Sequence, residues 1–207
     1  MLGGRRVRIW RPAHPLEVQD PHAERGDAGP IWAQTWTSGV VLAGLIARCP
    51  LHGVRVLELG CGLGLVAIAA ARAGGSVTAS DRSKLALAFT ARNAKENRVA
   101  VETVPCDWQN PQPLEVHGPW DLVLGSDILY VEPSAHALSA LLDRVVAADG
   151  EAWITDPGRD AASTFLDSAS TAWRLSNYRC RHGVLLHRLA RPSGPRPQTS
   201  RHSGRAG

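Results

Sequence analysis

Lysine is nearly missing from this chain: Lys84 and Lys95 stand against 21 arginines in 207 residues. We attribute that skew to the coding bias of a GC-rich genome rather than to chemistry. Long apolar runs are missing too. The longest, Val40 to Ala47, falls far short of the roughly 20 residues that span a bilayer. The start, MLGGRRVRIWRP, is basic but has no apolar core, so no secretory signal is expected. The four cysteines (Cys49, Cys61, Cys106, Cys180) form no C-x-x-C pair, which argues against structural zinc and for a reduced, cytoplasmic setting. The eight histidines are scattered, and none pairs at i,i+4 around an acid, so no metal is expected. No internal repeat is visible.

What is present suits one ordinary domain: 44% of residues are hydrophobic and 20% charged, enough to bury a core without disulfides. The formal charge of +4 invites a nucleic-acid reading, but its distribution does not. Residues 1–11 carry four arginines and no acid, and residues 191–207 carry four more and again no acid. Removing those eight leaves 15 of the 23 basic residues against all 19 acids, so the body stands at −4. Phosphate binding needs clustered cations, and nucleic acid is therefore not an expected partner.

Along the chain, residues 1–30 read as an N-terminal arm or small hairpin, 31–190 as the main domain and 191–207 as a disordered basic tail. Residues 39–48 read as an apolar helix stopped by Cys49-Pro50. Strands are expected at 55–59, 76–80, 99–104, 121–125 and 151–155. Helices are expected at 65–73, from an N-cap at Ser83 to about Asn97, after Pro133, and at 161–170. The pieces 173–178 and 184–189 form a closing antiparallel pair. The class is α/β, a Rossmann-like seven-stranded, mostly parallel sheet with a C-terminal antiparallel hairpin and helices on both faces.

The strongest local pattern is Val56-Leu-Glu-Leu-Gly-Cys-Gly-Leu-Gly64, a strand that opens into glycine turns and then a helix. Glycine admits positive φ and close approach of backbone to a ligand, and the helix start offers free N–H groups. Ligands of open α/β sheets bind at that strand end. The spacing is G-x-G-x-G, not the dinucleotide G-x-G-x-x-G, and no G-K-[ST] follows. Glu58 would repel a pyrophosphate but suits an amino group. Asp81 ends the second strand, where a carboxylate can accept both hydroxyls of a ribose; it can equally be a helix-starting acid. Asp107-Trp108 closes the third strand. The indole offers a face to a purine or packs into the core, and the carboxylate can accept from an exocyclic amine.

These blocks resemble class I S-adenosylmethionine-dependent methyltransferases, and within them the family-16 protein-lysine methyltransferases. The carrying residues are Trp32-Ala-Gln-Thr-Trp36-Thr-Ser-Gly39, the glycine strand, Thr78-Ala-Ser-Asp81 with Asn93 and Asn97, Asp107-Trp108, and Asp121-Leu-Val-Leu-Gly-Ser-Asp127-Ile-Leu-Tyr130. The most specific element is D-x-x-Y, Asp127 to Tyr130; amide and nucleobase methyltransferases more often place N-P-P-Y there. Asp156-Pro-Gly-Arg159 and the paired Trp32 and Trp36 are similar to the branch that methylates the electron transfer flavoprotein β-subunit and, in bacteria, a ribosomal protein. The resemblance implies S-adenosyl-L-methionine as cofactor. Trp36, Glu58, Gly60, Cys61, Gly62, Gly64, Asp81, Asp107, Trp108 and Ser126 would hold it, with Asp127 and Tyr130 at the substrate amine. It implies a monomer acting on a protein lysine, with no metal.

Methyl transfer from a sulfonium is a direct displacement, so alignment and charge placement are the protein's task. Two other readings stand beside lysine methylation: methylation of a small, nicotinamide-like amine, and cofactor binding without catalysis.

Overall fold

A computed structural model describes residues 6–26, 29–130 and 132–192. Strands and helices alternate in chain order. The chain opens with a two-residue antiparallel pair, β1 (Arg25–Gly26) and β2 (Gly29–Pro30), before α1 (Thr37–Ile46). Then come β3 (Arg55–Leu59), α2 (Leu65–Arg72), β4 (Ser76–Asp81), α3 (Lys84–Glu96), β5 (Glu102–Pro105) and α4 (Gln112–His117). The rest is β6 (Trp120–Ser126), α5 (Glu132–Val145), β7 (Val146–Asp156), α6 (Asp160–Ala169), β8 (Arg174–Arg179) and β9 (Leu185–Ala190).

Seven strands form the main sheet in the order β5-β4-β3-β6-β7-β9-β8. The first five are parallel; β9 runs antiparallel to β7, and β8 antiparallel to β9. The strand order reverses at β3, which has β4 on one side and β6 on the other. Connections therefore leave the carboxyl ends of β3 and β6 toward opposite faces, and a crevice opens between them.

The period-two alternation of the strands divides the core. Leu57, Leu59, Val123 and Ile154 point to one face, where Leu114 of α4, Leu138, Leu141 and Leu142 of α5 and Phe165 of α6 cover them. Val56, Val77, Leu122 and Leu124 point to the other, under Leu42 and Ile46 of α1, Val66 and Ala70 of α2 and Leu87 of α3. Strands buried on both faces read as near-continuous apolar runs, which is why 55–59 and 121–125 were legible as parallel strands.

Ser83 caps α3 as expected: its Oγ accepts from the Ala86 N–H at 3.0 Å. Differences from the sequence reading lie at the margins. β5 starts at Glu102 and β7 already at Val146, and α4 went unforeseen because its six residues contain a proline and no periodic face. Trp32 and Trp36 do not share a helix face: Trp32 sits in a 3-10 turn and Trp36 precedes α1.

Described residues before Ile31 lie against the body. Asn93 of α3 accepts from the Trp10 N–H at 2.6 Å and donates to the carbonyls of Trp10 and Leu63 at 3.0 and 2.9 Å. Asn97 accepts from the Arg8 N–H at 3.1 Å and donates to the Arg8 carbonyl at 2.7 Å. Two asparagine side chains thus stand in for a strand partner along this stretch. At the other end Arg191 lies over Trp173 and donates to the Asp143 carbonyl at 2.7 Å. Arg5 and the tail from 193 onward fall outside the described residues.

Candidate active site

The crevice at the carboxyl ends of β3 to β6 holds a cavity of about 330 Å³, within the range that takes small ligands. Of the residues singled out from sequence, Trp36, Glu58, Gly60, Cys61, Gly62, Asp81, Asp107, Trp108, Ser126, Asp127 and Tyr130 all line it. Gly64 does not. It is buried at φ +78°, and a Cβ there would meet Thr90 at 2.8 Å, so it lets α2 start against α3 rather than facing a ligand. Gly60 and Gly62 do face the cavity, at φ +61° and +52°.

The turn after β3 is held from below. Asp81 accepts from the Gly62 N–H at 3.0 Å and from the Ser83 N–H at 2.9 Å, one bond to each carboxylate oxygen. The same carboxylate thereby ties the glycine turn to the start of α3 while its edge lines the cavity. Burial pushes its pKa up, and the two N–H donors oppose that. Glu58 lies deeper. It is 2% exposed, accepts from the Ala67 N–H at 2.7 Å, and its pKa is pushed up to about 8, first by burial and further by Asp81. At neutral pH it is mostly protonated until a cation arrives. Cys61, one residue past Gly60, is a buried thiol held well above its ordinary pKa by burial and by those two acids; it is a packing group, not a nucleophile.

Asp107 is exposed and turns back to accept from the Gln109 N–H at 3.0 Å, which orders the loop that presents Trp108. Trp108 is half-buried against the core with one edge at the cavity. Trp36 is 37% exposed, and its indole N–H donates to the Ile31 carbonyl at 2.9 Å, so its ring is fixed at the rim.

The opposite wall follows β6. Asp127 has φ +56°, a strained backbone for a residue with a side chain, and its N–H donates to the Thr155 carbonyl at 2.9 Å. Its Oδ1 accepts from Arg159 Nη1 at 2.8 Å, while Oδ2 is buried with no hydrogen-bond partner among the described residues. Tyr130 is bonded to Glu24, and burial, followed by that carboxylate, raises its pKa to about 12. Glu24 also pairs with Arg82 at 3.1 Å.

Sequence reasoning missed this last group. His22, Ala23 and Glu24 line the cavity, yet no motif marks them. Arg82 and Arg159 were equally unmarked as partners; their neighbours Asp81 and Asp156 were the available signals. Among the described residues, five acids, Glu24, Glu58, Asp81, Asp107 and Asp127, line the cavity against one arginine, Arg82, and His22. Such a wall suits a cationic ligand. Among the described residues no cluster of His, Cys, Asp or Glu is arranged to hold a metal ion.

The lysine methyltransferase family model matches residues 12–172, which spans most of the arm, the cavity and the five parallel strands of the main sheet, up to the closing hairpin. The chain belongs to the lysine methyltransferase family. A zebrafish (Danio rerio) protein N-lysine methyltransferase, METTL21A, is 38% identical over 124 residues, 56% of this chain and 56% of that protein. The electron transfer flavoprotein beta subunit lysine methyltransferase of Xenopus laevis is 35% identical over 160 residues, 74% of this chain and 63% of its own length. The zebrafish protein of the same name is 38% identical over 134 residues, 63% of this chain and 51% of its own. This chain thus spans about half to two-thirds of the curated relatives it matches. Among solved structures, a ribosomal protein L11 methylase from Lactobacillus delbrueckii subsp. bulgaricus aligns with a TM-score of 0.59 at 22% identity, covering 72% of this chain and 77% of that one. A magnesium protoporphyrin IX methyltransferase from Synechocystis with bound S-adenosylmethionine aligns at 0.57 and 21% identity, over 75% and 78%. At such identities these two speak for the fold, the Rossmann-like sheet of methyltransferases.

Proposed function

We propose that this member of the lysine methyltransferase family transfers methyl groups from S-adenosyl-L-methionine to a lysine side chain of a protein. One observation carries the reading. Asp127, whose buried Oδ2 has no partner among the described residues, lines one cavity with the Gly60–Gly62 turn and the acids Glu58 and Asp81. The residues fit the cofactor. Glu58 is a buried acid waiting for a cation, Asp81 is a carboxylate edge for a ribose, and Trp108 and Trp36 offer aromatic faces. Ser126 stands at the end of β6.

When bound, S-adenosylmethionine supplies an electrophilic methyl group, the new N–C bond forming as the C–S bond breaks, with S-adenosylhomocysteine as the product. The chain's own part is alignment and charge. Lysine arrives as an ammonium with a free pKa of about 10.4 and must lose a proton to water before it can act as a nucleophile. Asp127 Oδ2 accepts an N–H of the amine and fixes its direction. Tyr130, held by Glu24, keeps a phenol rather than a phenolate at the mouth and offers its ring to the cation.

The relatives' names support a protein acceptor, with the electron transfer flavoprotein β-subunit or a ribosomal protein as candidates. A second reading has one observation in its favour. His22 to Glu24, with Tyr130, close one side of the cavity, as a small amine acceptor would require. A cytoplasmic, monomeric enzyme is the setting we infer. Four unpaired cysteines fit the reducing compartment in that reading.

Incubating the purified protein with labelled S-adenosylmethionine and a host-cell lysate tests this. The expected result is one labelled protein band that Asp127→Asn lowers at least ~100-fold while cofactor affinity by calorimetry stays within about twofold. Label confined to small molecules favours the second reading.

A further inference from the structure

We propose that Arg159 and Asp156 are positioning residues for Asp127, the ammonium receptor, fixing its side chain and holding the cluster at a formal −1 so that a bound amine can give up its proton. The inference rests on the lysine methyltransferase reading and concerns how the same site selects and deprotonates its amine.

The geometry is a chain of three side chains. Asp156, at the end of β7 and fully buried, accepts from the N–H groups of Gly158 and Arg159 through Oδ1, at 2.6 and 2.7 Å. Its Oδ2 accepts from Arg159 Nη1 at 3.0 Å, and that same nitrogen donates to Asp127 Oδ1 at 2.8 Å. A turn-closing role accounts for Oδ1 of Asp156. It does not account for a guanidinium that reaches from the start of α6 to a residue 32 positions earlier, at the end of another strand.

With Oδ1 occupied, Asp127, which lines the cavity, cannot rotate freely, and its Oδ2 stays buried with no partner among the described residues. A buried carboxylate oxygen without a donor awaits one from outside. Two carboxylates and one guanidinium sum to a formal −1, which one ammonium cancels. Without the arginine the amine would face −2. That would hold it more tightly but also hold its proton more tightly, because a negative neighbour favours the charged form. Arg159 therefore trades attraction for reactivity. The other titratable groups around the cluster are His187 of β9, whose own pKa burial lowers and Asp156 raises in part, and, elsewhere along the cavity, Tyr130 with Glu24, Asp81 and Arg82.

Arg159→Ala and Arg159→Lys test this against Asp127→Asn, with cofactor affinity and the urea midpoint measured on each. In the first arm, n-butylammonium chloride is titrated by NMR onto protein loaded with S-adenosylhomocysteine, with n-butanol as the neutral control. Arg159→Ala should bind the ammonium at least as tightly as wild type, Asp127→Asn at least ~10-fold more weakly, and none should prefer the alcohol. In the second arm, kinetics on the labelled acceptor protein should show kcat down ~10- to 100-fold in Arg159→Ala with KM unchanged or lower. The acidic limb of kcat against pH should move up by about 1 unit and return most of the way in Arg159→Lys. Loss of butylammonium binding in Arg159→Ala equal to that in Asp127→Asn overturns the proposal. So does a lower kcat whose acidic limb stays in place. If the alanine variant does not fold, Arg159→Gln, which keeps the stem and the polar end but not the charge, decides by the same limb. The butylammonium arm needs no acceptor, so its failure is separate from a failure of lysine methylation itself.

Discussion

Replacing Glu58 by glutamine should stabilise the cofactor-free protein, by an amount that grows as pH rises from about 4.5 to about 8. Burial raises the folded-state pKa of Glu58 to about 8, against 4.5 for an exposed glutamate. Below pH 4.5 the folded and unfolded chains both carry the proton, and the group costs nothing. Between 4.5 and about 8 the unfolded chain has released the proton and the folded chain has not. The folded state then binds more protons, so stability falls as pH rises. Above about 8 the loss levels off; 1.36 kcal/mol per pH unit over that interval gives on the order of 5 kcal/mol. Glutamine keeps the acceptor for the Ala67 N–H and removes the titration. Urea and thermal unfolding of wild type and Glu58→Gln at pH 5 and pH 9 read the effect. The variant should differ by less than about 1 kcal/mol at pH 5 and gain ~3–5 kcal/mol at pH 9. At ~2–4 °C per kcal/mol that is about 10 °C in Tm. Comparing the two pH values cancels any fixed packing difference. A gain of equal size at both would refute the account of Glu58 as a buried acid held without a cation.

Three other outcomes follow from single residues. Gly64→Ala should lower stability by ~2–4 kcal/mol in chemical unfolding, since it places a side chain at positive φ and against Thr90, yet leave cofactor contacts in place. Asn93→Ala strips the partners from Trp10 and Leu63. It should cost ~2–4 kcal/mol and raise amide exchange around residues 8–10 well before the sheet opens. Asp81→Asn should weaken S-adenosylmethionine binding at least ~10-fold by calorimetry, because an amide that donates with one arm cannot accept from both Gly62 and Ser83.

The strands and most helices were legible because their signals are local. Apolar runs such as Leu122–Leu124 fit only a sheet covered on both sides, and Ser83 is a cap wherever it precedes a helix. The strand-end acids were legible because an open α/β sheet gathers its strand ends in one crevice. Gly64 misled because it belongs to the same motif as Gly60 and Gly62 while its neighbour in space, Thr90, is 26 positions away. Contacts across long separations left no local trace: Glu24 with Tyr130, Trp10 with Asn93, Arg159 with Asp127. The charge reading was sound for the site and incomplete for the ends. Arg8 pairs with Glu96 at 3.1 Å and Arg191 stacks on Trp173, so two of the terminal arginines serve the fold.

The central claim is that this cavity delivers a methyl group to a lysine ammonium, and mass spectrometry of the acceptor tests it most directly. The protein from the labelled band is digested and its fragments sequenced after reaction with wild type and with Asp127→Asn. The account predicts added methyl groups on a lysine Nζ with wild type and almost none with the variant. Methyl groups on another residue type, or equal lysine methylation by the variant, would contradict it.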